Sequence, residues 1–139
     1  VSLRIESHPD PADLERIDDG IRAAAAHVTD LPPETDLAVF AREDGRISGG
    51  VYGWTWGDCC ELVGLWVDDA QRGRGLGTAL MLMAEDEARE RGCRQIVIFV
   101  HTFQPLALYE RLGYTEIGRV TDFPAGSDAV WMLKHLTAR

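Results

Sequence analysis

The sequence predicts a mixed α/β domain, and three observations carry that expectation. Two strongly apolar runs, Glu61–Val67 (ELVGLWV) and Gln95–Val100 (QIVIFV), flank a stretch of helical periodicity, as parallel strands joined by a crossover helix do. Ahead of them, Val, Phe, Ile, Tyr and Trp residues between Leu37 and Trp56 are interrupted at Glu43-Asp44-Gly45-Arg46, which reads as two strands and a tight hairpin. The resulting order is β-α-β-β-β-α-β-α-β-β. With 139 residues, the chain has room for one core, so residues 1–139 are read as a single domain.

The elements follow in order. Leu3 and Ile5 alternate with polar neighbours and suggest a first strand. Asp10-Pro11 supplies an N-cap and a proline at the first helical position, and Leu14, Ile17, Ile21 and Ala24 continue the helix to about Ala26. Leu31-Pro32-Pro33 then breaks it. After the hairpin, Gly57-Asp58 turns the chain into the fourth strand, ELVGLWV, which is apolar on both faces beyond its first residue, as expected of a central buried strand. Gly64 within it marks a bulge or a close backbone approach. Leu76, Ala79, Leu80, Met83 and Ala84 form the stripe of a helix closed at Arg91-Gly92. QIVIFV is the fifth strand, Pro105–Leu112 a short helix closed by Gly113, and Tyr114–Val120 and Ala129–His135 are strands across the turn FPAGSD.

Charge excludes some functions. The formal charge of −9 disfavours a sequence-independent grip on nucleic acid or an anionic membrane. No apolar stretch is long enough to span a bilayer, and the opening VSLRIESHPD has neither a basic leader nor an apolar signal core, so a soluble cytoplasmic protein is expected. Residues 1–70 hold 5 Arg against 15 Asp+Glu, and residues 71–139 hold 9 Lys+Arg against 8 Asp+Glu. The second half suits an anionic ligand and the first a cationic one. Cys59, Cys60 and Cys93 are odd in number and form no C-x-x-C pair, so reduced thiols and no metal site are expected.

Arg72-Gly73-Arg74-Gly75-Leu76-Gly77 lies between a buried strand and a helix. Glycines there let a backbone approach a ligand, and the helix start aims unpaired N–H groups at it, so an anionic ligand is one reading and a tight strand-to-helix turn the other. The segment is neither a dinucleotide fingerprint, since Thr78 and Leu80 stand where a last glycine would be needed, nor a Walker loop.

With Arg72, Gly75 and Gly77 in the pattern Q/R-x-x-G-x-G/A at the turn after the fourth strand, and with Ala107-Leu108-Tyr109-Glu110-Arg111-Leu112-Gly113-Tyr114 downstream, the sequence resembles the GNAT superfamily of N-acetyltransferases. The resemblance implies a mixed central sheet with splayed fourth and fifth strands and helices on both faces. It implies acetyl-CoA as co-substrate and no metal. The pyrophosphate would be held by backbone amides of Arg72, Gly73, Arg74, Gly75, Leu76, Gly77 and Thr78, and the pantetheine arm would lie beside Leu65, Trp66 and Val67. Tyr109 matches the residue that donates to the departing thiolate; its other reading is a core aromatic. Thr102 stands where the family often has an asparagine contacting pantetheine.

The acceptor amine arrives protonated, so a base is required. Glu61, at the start of the fourth strand, is the leading candidate, acting through water; it reads equally as an exposed carboxylate. His101 has a suitable reference pKa and follows the fifth strand, where a structural histidine is also common. Trp54 and Trp56 project from one strand face beside Tyr52 and line an acceptor pocket, pack the core or form a dimer contact. The expected activity is direct acetyl transfer to a small primary amine, cationic by the charge argument, and homodimers occur among similar proteins. A non-catalytic acyl-CoA-binding or interaction module and a protein N-terminal or lysine acetyltransferase are the competing readings.

Overall fold

The computed structural model describes residues 1–137. They fall into two compact units, one covering Val1–Pro33 and one beginning at Glu34. The first contains helix α1 (Pro11–Thr29), whose N-cap is Asp10 as expected, with the carboxylate accepting from the Ala12 amide at 2.9 Å. The helix runs three residues past Ala26 because nothing breaks it before Asp30, which closes it in a left-handed conformation (φ 52°). The expected strand at Leu3–Ile5 does not form. Alternation over three residues with no partner strand provides no ladder, and Leu3 and Ile5 are exposed.

The second unit holds the core. Strands β1 (Thr35–Glu43), β2 (Arg46–Trp56) and β3 (Cys59–Val67) form an antiparallel meander. Asp44 and Gly45 both have positive φ, as a two-residue hairpin of this hand requires. Helix α2 (Leu76–Glu90) then crosses to β4 (Gln95–His101), parallel to β3, and helix α3 (Leu106–Arg111) leads to the hairpin of β5 (Thr115–Val120) and β6 (Ala129–His135). The sheet order is β1-β2-β3-β4-β6-β5, a mixed six-stranded sheet of the expected class.

Leu80, Met81, Ala84 and Ala88 of α2 pack with Leu37, Val51, Leu62, Ile96, Ile98, Val130 and Met132 of the sheet, and Tyr109 and Tyr114 join the same cluster. Burial along β4 alternates strictly, so the expectation of strands buried on both faces is corrected. Ile96, Ile98 and Val100 face α2, while Val97, Phe99 and His101 on the other face are only partly covered; on β3, Val63 and Trp66 are likewise exposed.

Candidate active site

The chain between β3 and α2 leaves backbone amides free. Gly73 (φ 76°) and Gly75 (φ 78°) are left-handed, and a Cβ on either would meet nothing within 4 Å. Glycine is needed there for the backbone angle, and the space in front of the turn is open. Gly75 caps α2, and the first bond into the helix runs from the Ala79 amide to the Gly75 carbonyl at 3.0 Å. The amides of Leu76, Gly77 and Thr78 are therefore left over at the positive end of the helix dipole. Arg72 is already engaged: its amide donates to the Asp69 carbonyl, its Nε to the Val67 carbonyl at 3.2 Å, and its guanidinium pairs with Asp69 at 3.0 Å. Arg74 has no ion-pair or hydrogen-bond partner among the described residues. Gly77 sits against α3 and β3, since a Cβ there would lie 3.4 Å from Leu108 and 3.9 Å from Leu65 and Val67.

Beside this turn the sheet opens. β3 pairs with β4 only from Cys59–Leu62 to Gln95–Ile98. Beyond Leu62 and Ile98 the strands part, leaving the β3 edge along Leu65, Trp66 and Val67 without a partner strand on that side. The divergence begins at a bulge: Tyr52 of β2 stands opposite Gly64, and the next residue, Gly53, opposite Leu62, so Val63 is an extra residue. Only glycine fits at position 53, where a Cβ would overlap the Glu61 carbonyl oxygen. Gly64 lies next to this bulge, and what closes on it is a side chain and not backbone: the Tyr52 ring is 3.2 Å from where its Cβ would be.

Tyr109 lies on the α2 side of this gap. Its ring is 3% exposed, and burial pushes the phenol up to about 12. The hydroxyl has no hydrogen-bond partner among the described residues, yet it is not sealed from solvent. Glu61 lies on the opposite face, partly exposed, in register with Trp54 on one side and Val97 on the other, at the closed end of the gap. Trp56 is farther from the opening, opposite Cys59. The side chain of Trp66 is half exposed, on the face opposite Leu65 and Val67, so only its backbone borders the gap. The Thr102 hydroxyl accepts from the Asp128 amide at 2.9 Å, and the Thr102 amide donates to the Asp128 carbonyl at 2.9 Å, so this residue ties two loops together.

His101 stands three residues beyond Ile98. Its ring is stacked between Phe103 and Phe123, with centroids at 5.2 and 5.5 Å, and Phe99 packs edge-on at 5.4 Å. Nδ1 is 2.8 Å from the Phe123 carbonyl. A carbonyl only accepts, so Nδ1 carries a proton and the neutral ring keeps its lone pair on Nε2. The three cysteines are free, and burial raises each thiol, Cys60 to about 12; held protonated, they are poor nucleophiles. Among the described residues, no three His, Cys, Asp or Glu side chains converge as metal ligands, and no helix is long and apolar enough to cross a membrane.

Two groupings escape a reading of the sequence. One is the aromatic cluster around His101. The other is a buried carboxylate, Glu85 of α2 (1% exposed), which accepts from Lys134 at 2.9 and 3.0 Å and from the Tyr114 hydroxyl at 3.1 Å.

Known proteins resemble this chain in sequence and in fold. The family model described as the acetyltransferase (GNAT) family matches residues 3–114. An acetyltransferase of Agrobacterium fabrum is 37% identical over 103 residues, 72% of this chain and 74% of its own. The blasticidin-S acetyltransferase of Streptomyces morookaense is 36% identical over 109 residues, 76% and 78% of the two chains. The crystal structure of an acetyltransferase from Bacillus cereus superposes with a TM-score of 0.81 at 28% identity, covering 96% of this chain and 98% of its own. A solved structure from Agrobacterium tumefaciens gives 0.87 at 31%, covering 98% and 100%.

Proposed function

The chain belongs to the acetyltransferase (GNAT) family, and from that premise we propose that it passes an acetyl group directly from acetyl-CoA to a small primary amine. The observation that carries this reading is the parting of β3 and β4 beyond Leu62 and Ile98, with free helix amides at one end and a phenol and a carboxylate on its two faces. Acetyl-CoA would supply the activated acetyl thioester. The residues present fit it: the open glycine turn and the amides of Leu76, Gly77 and Thr78 suit a pyrophosphate, with Arg74 as a free cation. The unpaired edge along Leu65, Trp66 and Val67 is a template for an extended amide chain.

Glu61 then removes a proton from the incoming ammonium, through water, at the closed end of the gap. Trp54, its cross-strand neighbour, offers an aromatic wall for a cation. Tyr109 donates a hydrogen bond to the departing sulfur. With its phenol at about 12 and a thiol reference near 8.5, complete proton transfer is uphill, so its contribution is electrostatic stabilisation of the developing thiolate. The similarity to the blasticidin-S acetyltransferase of Streptomyces morookaense supports a small-molecule acceptor. The test is CoA release from acetyl-CoA with a panel of primary amines, with the acetylated product identified by mass. Amine-dependent release is expected, and CoA binding without amine-dependent release on any member would overturn the proposal.

A further inference from the structure

Phe99 follows Ile98 directly, so the aromatic cluster begins where the gap opens. Val97, Phe99 and His101 share one face of β4, and Glu61 is in register with Val97 on that same face. Across the sheet, Trp131 of β6 pairs in register with Phe99, and their rings meet at 4.8 Å. Phe103 and Phe123 extend the cluster into solvent as a stack through His101, with interplanar angles of 8° and 6°. Phe103 is 66% exposed, Phe123 51% and Trp131 36%, an unusual concentration of uncovered aromatic surface.

The cluster is also held still. The paired Thr102 and Asp128 bonds join its two loops, the His101 amide donates to Gln104 Oε1 at 2.8 Å, and Asp128 is fixed by Arg119 at 2.6 Å. A flat surface ordered before binding loses little entropy when a ligand lies on it. At about 3.3 Å per strand residue, Phe99 and His101 stand about 7 and 13 Å along the strand from the level of Glu61. Arg119 is neutralised by Glu116 and Asp128, so the neighbourhood offers a cation no unpaired positive charge from that side.

We infer that the near end of this cluster, Phe99 with Trp131, seats a flat aromatic ring carried by the acceptor, so that the preferred substrates are primary amines bearing such a ring a few bonds from the nitrogen. The inference rests on the transfer site lying at the end of the β3–β4 gap, and it adds the chemical class of the acceptor. Phe99 and Trp131 supply the stacking surface, about 7 Å along the strand from the level of Glu61, and the stack of Phe103, His101 and Phe123 closes its far end.

The probes are 2-phenylethylamine and 2-cyclohexylethylamine, which match in reach and charge and differ in having or lacking a flat π face. Binding to the protein with CoA in excess is measured by calorimetry, and acetylation of the same amines by CoA release. The phenyl amine should bind about fivefold more tightly. Trp131→Leu should bring the ratio close to one, Trp131→Phe should keep it, and Phe99→Leu provides a second variant should the first fail to fold. Equal binding of the two amines by the wild type, or a ratio unaffected by both truncations, overturns the inference. Turnover of both amines without phenyl preference overturns it too and leaves the transferase reading standing. Ring-selective binding without turnover supports it and removes the transfer chemistry instead.

Discussion

Tyr109 and Tyr114 are joined twice. The Tyr114 amide donates to the Tyr109 carbonyl at 3.0 Å, and the two rings meet edge to face at 6.1 Å and 77°. Together with the Gly113 amide donating to the Glu110 carbonyl, this is a Schellman ending of α3, with Gly113 left-handed at φ 94° and the apolar contact such endings favour. The ring of Tyr109 is thus set by the way its helix stops, while its hydroxyl takes no part in holding it.

Tyr109→Phe therefore tests chemistry apart from packing. Turnover should fall about 10- to 1,000-fold, the span of one lost acid or hydrogen-bond donor, with acetyl-CoA affinity little changed. Steady-state kinetics beside calorimetry check this. Wild-type turnover in the folded variant would make Tyr109 a core residue only.

Gly75→Val tests the cradle. A β-branched residue held at φ 78° costs about 1–3 kcal/mol, while its side chain projects into the open space a pyrophosphate would occupy. CoA affinity should drop about tenfold or more, as 1.4 kcal/mol is a factor of ten. An unchanged dissociation constant in folded protein would take the turn out of the site.

Much of this was legible locally. The Asp10 cap, the Asp44-Gly45 hairpin and the glycine turn depend on neighbouring residues alone, and each appears where the sequence places it. Leu3–Ile5 carries the same alternation as a strand but lacks a partner, which no local pattern supplies. The stack around His101 needs the Phe99–Trp131 register and the Thr102–Asp128 tie, contacts between residues 26 or more apart. Glu85 and Lys134 left a fainter trace: Glu85 shares the helix stripe of Met81, Ala84 and Ala88, and Lys134 alternates in phase with Val130 and Met132. A charge on an apolar stripe facing a charge in an apolar phase points to a buried pair, and only the fold shows that they meet.

Alkaline pH should loosen the fold. Burial raises Cys60 from 9.0 and Tyr109 from 10.0, each to about 12, so the native state holds these protons more tightly than the unfolded chain. Their contribution is fully present below the unfolded values and is lost as pH rises through the native ones. The urea midpoint should decline from about pH 9 towards 12, and less steeply in Cys60→Ala, where one of the groups is gone. A Cys60→Ala profile parallel to wild type would show that the thiol does not contribute.

The last expectation concerns the buried carboxylate of Glu85. It receives two contacts from Lys134 and one from Tyr114, with Arg89 more distant at 3.9 Å. Lys134→Met removes its main counter-charge and leaves a 1%-exposed carboxylate with one close donor, so a loss of about 3–5 kcal/mol is expected. Glu85→Gln should cost less, because the Lys134 side chain is 19% exposed and its ammonium can turn towards water. Tyr114→Phe removes one bond to a charged acceptor, about 1.5–3 kcal/mol. The deciding measurement is the double variant Glu85→Met with Lys134→Met, by urea unfolding at neutral pH. Apolar side chains of similar volume leave no stranded charge, so the double variant should be more stable than Lys134→Met alone. Losses that simply add would mean that the two residues do not act as a pair, and that α2 is held to β6 by the surrounding apolar packing alone.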